Sequence, residues 1–191
     1  MSTLVIVVRA FSLLAFVGPM LLLGMRRRGQ AAARAHQIGG ERAPLVANLA
    51  AFGLFLLSLV VFSGDSESSI ALLLALSGLL LALAGVSLVL RSRTELGPAW
   101  SLLPEAGQNA GLVTTGPYRL VRHPIYLGLT LLAMGQALAF GSWPAFLVVL
   151  CTIVPSFAWR ARAEEVLLGR IFGERYAAYR RRTRMIIPHL L

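Results

Sequence analysis

The sequence predicts an all-α integral membrane protein with about five transmembrane helices, a single membrane domain over residues 1–191. Three observations carry that reading. Hydrophobic residues make up 57% of the chain and charged residues 14%, against roughly 45–50% and 25% in soluble domains, and the mean hydropathy is +0.75. The apolar residues fall into five separate segments. The basic residues fall almost wholly on one side of them.

The segments are Leu4–Met25, Leu45–Ser63, Ile70–Leu90, Pro124–Gly141 and Trp143–Trp159. A span needs about 17–25 residues, so the first three are comfortable and the last two are short. Only Gly141, Ser142, Trp143 and Pro144 mark the junction of segments four and five, which predicts a tight helical hairpin. Pro124 suits the first turn of its helix, where a missing N–H is harmless. Pro155 is expected to kink the fifth helix. Cys151 is the only cysteine; in an apolar run it reads as a core thiol, with no internal disulfide. Residues 1–93 thus hold helices one to three. Residues 94–191 hold the hairpin and a C-terminal helical segment.

Charge sets the orientation. All 18 basic residues are Arg. All but Arg9 lie between helices one and two, between three and four, or after five, whereas the Gly64–Ser69 loop carries Asp65 and Glu67 and no Arg. The positive-inside rule places the Arg-rich side in the cytoplasm, with the N-terminus outside and the C-terminus inside. Arg26, Arg27 and Arg28 follow the first apolar run instead of preceding it, the pattern of an anchor and not of a cleaved leader. Arg9 is expected to snorkel to the outer interface. Membrane-surface anchoring accounts for most of the +10 charge, so no nucleic acid partner is expected, nor a metal. The all-Arg usage suggests a bacterial, GC-rich source and an inner-membrane location.

Two polar clusters stand out against this background. The first is Gly116–Gly128, GPYRLVRHPIYLG; the second comprises Glu164, Glu165, Phe172, Gly173, Tyr176 and Tyr179. Ionisable groups at a bilayer are costly and point to function. Both clusters fall on the cytoplasmic side, and the hairpin brings them together. Arg122, His123, Tyr118 and Tyr126 supply donors and aromatic faces; Glu164 and Glu165 supply negative charge. A ligand with a carboxylate, an ammonium and a second positive centre suits that mixture. A sulfonium on a Tyr face gains about 0.5–2 kcal/mol. S-adenosylmethionine has these parts, and the chemistry permits it without singling it out.

The bland readings stand beside this one. Arg160 and Glu164, four apart, form a helical ion pair worth about 0.2–0.5 kcal/mol. Glu165 reads as a solvated partner of Arg162 or Arg170. Tyr179 reads as an interfacial belt residue. His36 and His189 are expected to do nothing chemical.

Leu112 to Tyr118 (LVTTGPY), Arg122 to Gly128 (RHPIYLG), Arg160, Glu164, Glu165, Leu168, Phe172, Gly173, Tyr176, Tyr179, Ile187 and Pro188 together resemble the isoprenylcysteine carboxyl methyltransferase family, and more distantly the phospholipid N-methyltransferases. The resemblance covers roughly Thr94–Pro188. It implies S-adenosylmethionine as cofactor, a membrane-helical fold unlike the soluble Rossmann methyltransferases, and a lipid or lipid-linked acceptor. Carried over by residue, Gly111, Leu112 and Val113 form a strand-like approach lining the cofactor pocket. Tyr118, Arg122, His123, Pro124, Ile125, Tyr126 and Tyr176 join them, with Glu164 and Glu165 on the far side. Arg160 faces the acceptor as the catalytic residue. Trp100 and Ser101 resemble a pair that precedes the cofactor loop in bacterial members.

Methyl transfer from a sulfonium is an in-line displacement, so alignment is the protein's main contribution. A carboxylate or thiolate acceptor needs no general base; an amine or hydroxyl would ask one of Glu165 or His123. Two alternatives stay open: a membrane reductase using a nicotinamide cofactor, and a non-enzymatic helical scaffold or transporter.

Overall fold

The computed structural model describes residues 2–25, 42–65, 67–97 and 111–186. Trp100, Ser101, Ile187, Pro188, His36, His189, Arg26, Arg27, Arg28 and Arg34 lie outside the described residues. The described chain folds into α1 (Ser2–Met25), α2 (Arg42–Val61), α3 (Ala71–Leu96), α4 (Pro124–Ala139), α5 (Trp143–Phe172) and α6 (Glu174–Arg182), with a 3-10 turn at Gly116–Arg119 before α4. No strand occurs among the described residues; Val121 and Arg184 make an isolated parallel bridge.

The all-α membrane architecture is as expected. Three helices, Ala43–Val61, Ala71–Leu96 and Trp143–Phe172, are long and apolar enough to cross a membrane, and Thr3–Ala15 and Pro124–Ala139 are shorter apolar helices. Large apolar side chains such as Leu54, Val60, Leu73 and Leu80 face outward, an arrangement that suits lipid and would aggregate in water. The fifth helix does not stop at Trp159: it continues to Phe172 and carries Arg160, Glu164 and Glu165 without a break. Arg160, Glu164 and Glu165 turn toward protein, while Arg162 and Arg170 stay exposed.

Pro155 is accommodated by a π turn, Val149–Ile153, directly ahead of it, closed by Val154 N–H bonding to Val149 O. Such a turn gives room for a ring that would otherwise clash with the preceding carbonyl. The α4–α5 hairpin is as tight as expected. Gly141 takes φ +62, Ser142 caps α5 by accepting from Ala145 N–H at 3.3 Å, and Pro144 falls in the first turn. Cys151 is exposed on the π turn, which corrects its reading as a core thiol.

The centre of the fold is the seam between α3 and α4. A Cβ placed on Gly78 would lie 2.3 Å from Ala139 N, and one on Gly85 2.5 Å from Gly128 O. On the facing helix, a Cβ on Gly135 would lie 2.6 Å from Ala82 N. Backbone thus meets backbone, the close approach that small residues give to membrane helices. α1 packs Val5 and Val8 on Ala71 and Ala75. Arg9 does not snorkel free. Its Nε donates to Ala139 O at 3.0 Å, and its Nη2 to Gly64 O and Phe140 O, so it caps the carbonyl end of α4. The fully buried Gln136 exchanges hydrogen bonds with Ser12.

α2 lies along α5. Ser142 Oγ donates to Ser58 O at 3.4 Å, and the rings of Phe52 and Phe157 meet at 5.9 Å. Beside this contact runs an apolar groove of about 380 Å³ between α2 and α5, with Ala47, Leu54, Pro155 and Trp159 in its walls.

Candidate functional site

The site forms where three segments converge. The loop entering α4 turns at Gly116 (φ +56), where a Cβ would sit 2.9 Å from the Glu95 side chain. Glu95, at the end of α3, accepts a hydrogen bond from Thr115 Oγ1. The loop is then clasped by the segment after α6: Arg122 N–H donates to Arg184 O at 2.7 Å and His123 N–H to Met185 O at 2.9 Å. Tyr179 Oη donates to Tyr118 O at 2.7 Å. Tyr179 is therefore a buried support for the loop, which corrects its reading as an interfacial belt residue.

Arg122 and Glu165 form the anchor beneath. Their Nε–Oε1 distance is 2.6 Å, with side chains 8% and 7% exposed. Arg122 Nη1 also donates to Thr183 O and to Arg180 O, and Arg180 Nε approaches Glu165 Oε2 at 3.6 Å. Glu165 is thus buried against Arg122 and is not a solvated partner of Arg162 or Arg170. Through Nε and Nη1, Arg122 ties the loop to α5, to α6 and to the segment after it.

Above the anchor, His123 ends the loop and Pro124 opens α4 at its first turn. The imidazole is buried, with Nδ1 3.5 Å from Glu164 Oε2 and Nε2 3.5 Å from Glu165 Oε1. His123 Nε2 and Tyr176 Oη are buried and make no hydrogen bond among the described residues. Tyr126, one turn on, stacks on His123 (5.5 Å, 11°) and on Phe157 (4.9 Å, 13°). Its hydroxyl donates to Glu164 Oε1 at 2.5 Å, and Arg160 Nε donates to the same oxygen at 3.1 Å. Glu164 is one-third exposed, so this carboxylate opens to the outside of the cluster. Ile125 is half-buried against the core.

His123, Tyr126, Arg160, Glu164 and Glu165 are thus brought together, with Tyr118, Arg122 and Tyr176 packed around them. Residues 111–113 form no strand, and among the described residues they share no hydrogen bond, ion pair or ring contact with the cluster. The sequence reading missed Phe157. It lies three residues before Arg160 on one helical face, and that spacing is the signal that would have found it.

Burial pushes the Tyr179 hydroxyl up to about 12 from its ordinary 10, and raises those of Tyr118 and Tyr176 as well. A phenol that ionises at pH 10 when unfolded but resists in the fold stabilises the fold below pH 10. That stability is lost as pH rises from 10 through 12. Thermal unfolding in detergent is expected to give a steady Tm up to pH 10 and a falling one beyond it. A Tm unchanged to pH 12 would show that these hydroxyls contribute nothing.

The sequence profile of the phospholipid methyltransferase family matches residues 73–175, more than half of the chain. A protein-S-isoprenylcysteine O-methyltransferase of Schizosaccharomyces pombe is 35% identical over 77 residues, covering 40% of this chain and 33% of that protein. A cobalt-zinc-cadmium resistance protein, CzcN, of Cupriavidus metallidurans is 36% identical over 117 residues, covering 59% of this chain and 50% of that protein. Among solved structures, a eukaryotic intramembrane Ras methyltransferase (isoprenylcysteine carboxyl methyltransferase) superposes with a TM-score of 0.58 over 90% of this chain and 60% of its own, at 20% identity. That likeness is one of fold, and the chain spans between a third and 60% of the length of these three proteins. The resemblance read from the two polar clusters therefore holds at the level of the family: the chain belongs to the phospholipid methyltransferase family.

Proposed function

We propose that this protein is an integral-membrane, S-adenosylmethionine-dependent methyltransferase that acts at the cytoplasmic face of a bacterial inner membrane on an apolar or lipid-linked acceptor. The observation that carries the reading is the Glu164 centre. A partly exposed carboxylate is held by Tyr126 and Arg160, at ion-pair distance from His123. A buried polar atom, Tyr176 Oη, sits in the same cluster with no hydrogen-bond partner among the described residues, and His123 Nε2 has only a long 3.5 Å approach to Glu165 Oε1. Such an orphan is costly unless a ligand satisfies it.

These residues fit the cofactor. Glu164 would pair with its ammonium, and His123 and Tyr176 would offer donors to its carboxylate. The stacked faces of His123, Tyr126 and Phe157 would lie against its cationic and aromatic parts. When bound, the sulfonium supplies an electrophilic methyl group. The chain's own contribution is alignment and exclusion of water. Glu165 and Arg122 fix the loop that carries His123, and Glu164 fixes Arg160 by their i,i+4 ion pair. Arg160 would hold an anionic acceptor group. A carboxylate acceptor arrives deprotonated, which suits a cluster whose acids are already engaged with cations. The groove between α2 and α5 supports an acceptor with an apolar tail reaching the site from the lipid. Residues 111–113 would close the cofactor side.

Calorimetry of the detergent-purified protein with S-adenosylmethionine, or with its demethylated product, tests this. Micromolar binding is expected in the wild type, with at least a tenfold loss in His123→Ala and in Glu164→Ala. A folded wild-type protein that binds neither compound would refute the proposal, and binding of a nicotinamide cofactor instead would favour a reductase.

A further inference from the structure

Several arginines near the end of α5 and on α6 take no part in the site, and the outward face of α5 shows at what depth they stand. Trp143, Leu147, Cys151, Pro155 and Trp159 are exposed at four-residue intervals, so they share one side of the helix. Exposed Trp marks the two membrane–water interfaces. From Trp143 to Trp159 the helix runs about 24 Å, close to the ~30 Å of bilayer hydrocarbon once the rings are added. The same side continues with Arg162, Val166 and Arg170, all exposed. Arg162 thus stands about 4.5 Å beyond the Trp159 level, within the polar headgroup layer.

α6 returns to that layer. Arg180 Nε lies 3.6 Å from Glu165 Oε2, and residue 165 is about 9 Å beyond Trp159 along α5. The polar layer on each side of a bilayer is roughly 5–8 Å deep, so the end of α6 stands at its outer edge. Tyr176 and Tyr179 form the buried face of α6, whereas Arg181 and Arg182 are exposed. The side chains of Arg162, Arg181 and Arg182 make no ion pair or hydrogen bond among the described residues. Orientation in the membrane asks only that arginines stay on one side of it. It does not ask that they stand on the outer face of the element that clamps the site. The inner face of α6 does that clamping: Tyr179 Oη donates to Tyr118 O, and the carbonyls of Arg180 and Thr183 accept from Arg122.

We propose that Arg162, Arg181 and Arg182 form a docking surface for the anionic headgroups of the surrounding bilayer, and that this contact steadies α6 on the His123 loop. Charge complementarity names the occupant. Guanidinium groups pair with phosphate oxygens two at a time, and headgroup phosphate is the anion that this depth supplies. The inference holds whatever group the site transfers, so it does not depend on the methyltransferase reading.

Amide hydrogen exchange tests it on the whole chain in nanodiscs of phosphatidylcholine, alone or with one third phosphatidylglycerol. The Arg122 and His123 amides bond to Arg184 O and Met185 O and so report on the clamp. At low salt they are expected to exchange about tenfold more slowly in the anionic discs, the effect of one or two arginines at an anionic surface. High salt is expected to abolish the difference. So is the triple variant Arg162→Gln/Arg181→Gln/Arg182→Gln, with a Tm in neutral discs that matches wild type. Equal wild-type exchange in the two discs overturns the proposal. A difference that survives in the variant does so too, as does a variant whose Tm falls in neutral discs, the mark of arginines that hold the fold itself. Equal protection by inorganic phosphate or an acidic peptide added to neutral discs also overturns it, because a soluble anion would then be the partner. If the variant fails to fold, the wild-type comparison decides alone.

Discussion

Glu165→Ala is expected to destabilise the protein by about 3–5 kcal/mol, the usual consequence of stripping one partner from a buried ion pair. Arg122 would keep its charge in a setting where its side chain is 8% exposed and where Glu165 is its carboxylate partner. The remaining bonds of that guanidinium go to the carbonyls of Arg180 and Thr183, which satisfy donors without neutralising charge. The loss would be felt in three segments at once, because the pair ties the loop before α4 to α5 and, through Arg180, to α6. The double variant Arg122→Met/Glu165→Leu is expected to recover much of the loss, since apolar residues of similar volume commonly replace a buried pair without penalty. Thermal unfolding in detergent measures both. A single variant within about 0.5 kcal/mol of wild type, as at an ordinary surface position, would show that the pair is not structurally coupled.

Gly135→Leu is expected to be more damaging still and to prevent recovery of folded protein from detergent. Overpacking costs about 1–3 kcal/mol when side chains can move aside. Here a Cβ on Gly135 meets Ala82 N and Gly78 O, each at 2.6 Å, and Ala82 Cα at 3.0 Å. Backbone atoms cannot change rotamer, so the helices must separate along a seam that includes Gly78, Gly85 and Gly128. Because α4 begins at the His123 loop, a shifted α4 takes Tyr126 away from Glu164. Gly53→Leu is the matched control: it also replaces a helical glycine with leucine, but a Cβ there meets nothing within 4 Å. Equal yields and equal Tm values for the two variants would contradict the account of the seam.

Much of the architecture was legible because it depends on local composition. The Gly-Ser-Trp-Pro turn and Pro124 at a helix start are properties of short windows and fall where expected, and each of the five apolar segments falls on a helix, the fifth of which runs on to Phe172. The two clusters of the site were legible as polar residues that an apolar chain has no structural need to keep. Several of the misses share one physical origin, partners distant in sequence. Glu165 reads as solvated until Arg122, 43 residues earlier, is folded against it. Arg9 reads as snorkelling until the end of α4 arrives beneath it. The length of α5 was underestimated for the same reason. Arg160 and Glu164 look like an exit from the bilayer by hydropathy, whereas Tyr126 and His123 make them an inner wall.

The clasp between residues 121–123 and 184–185 has a consequence for biosynthesis. His123 is held in place by hydrogen bonds to a segment translated some sixty residues later. During synthesis α4 can pack against α3 while the His123 loop still lacks these backbone partners, and the loop is fixed only when Arg184 and Met185 have left the ribosome.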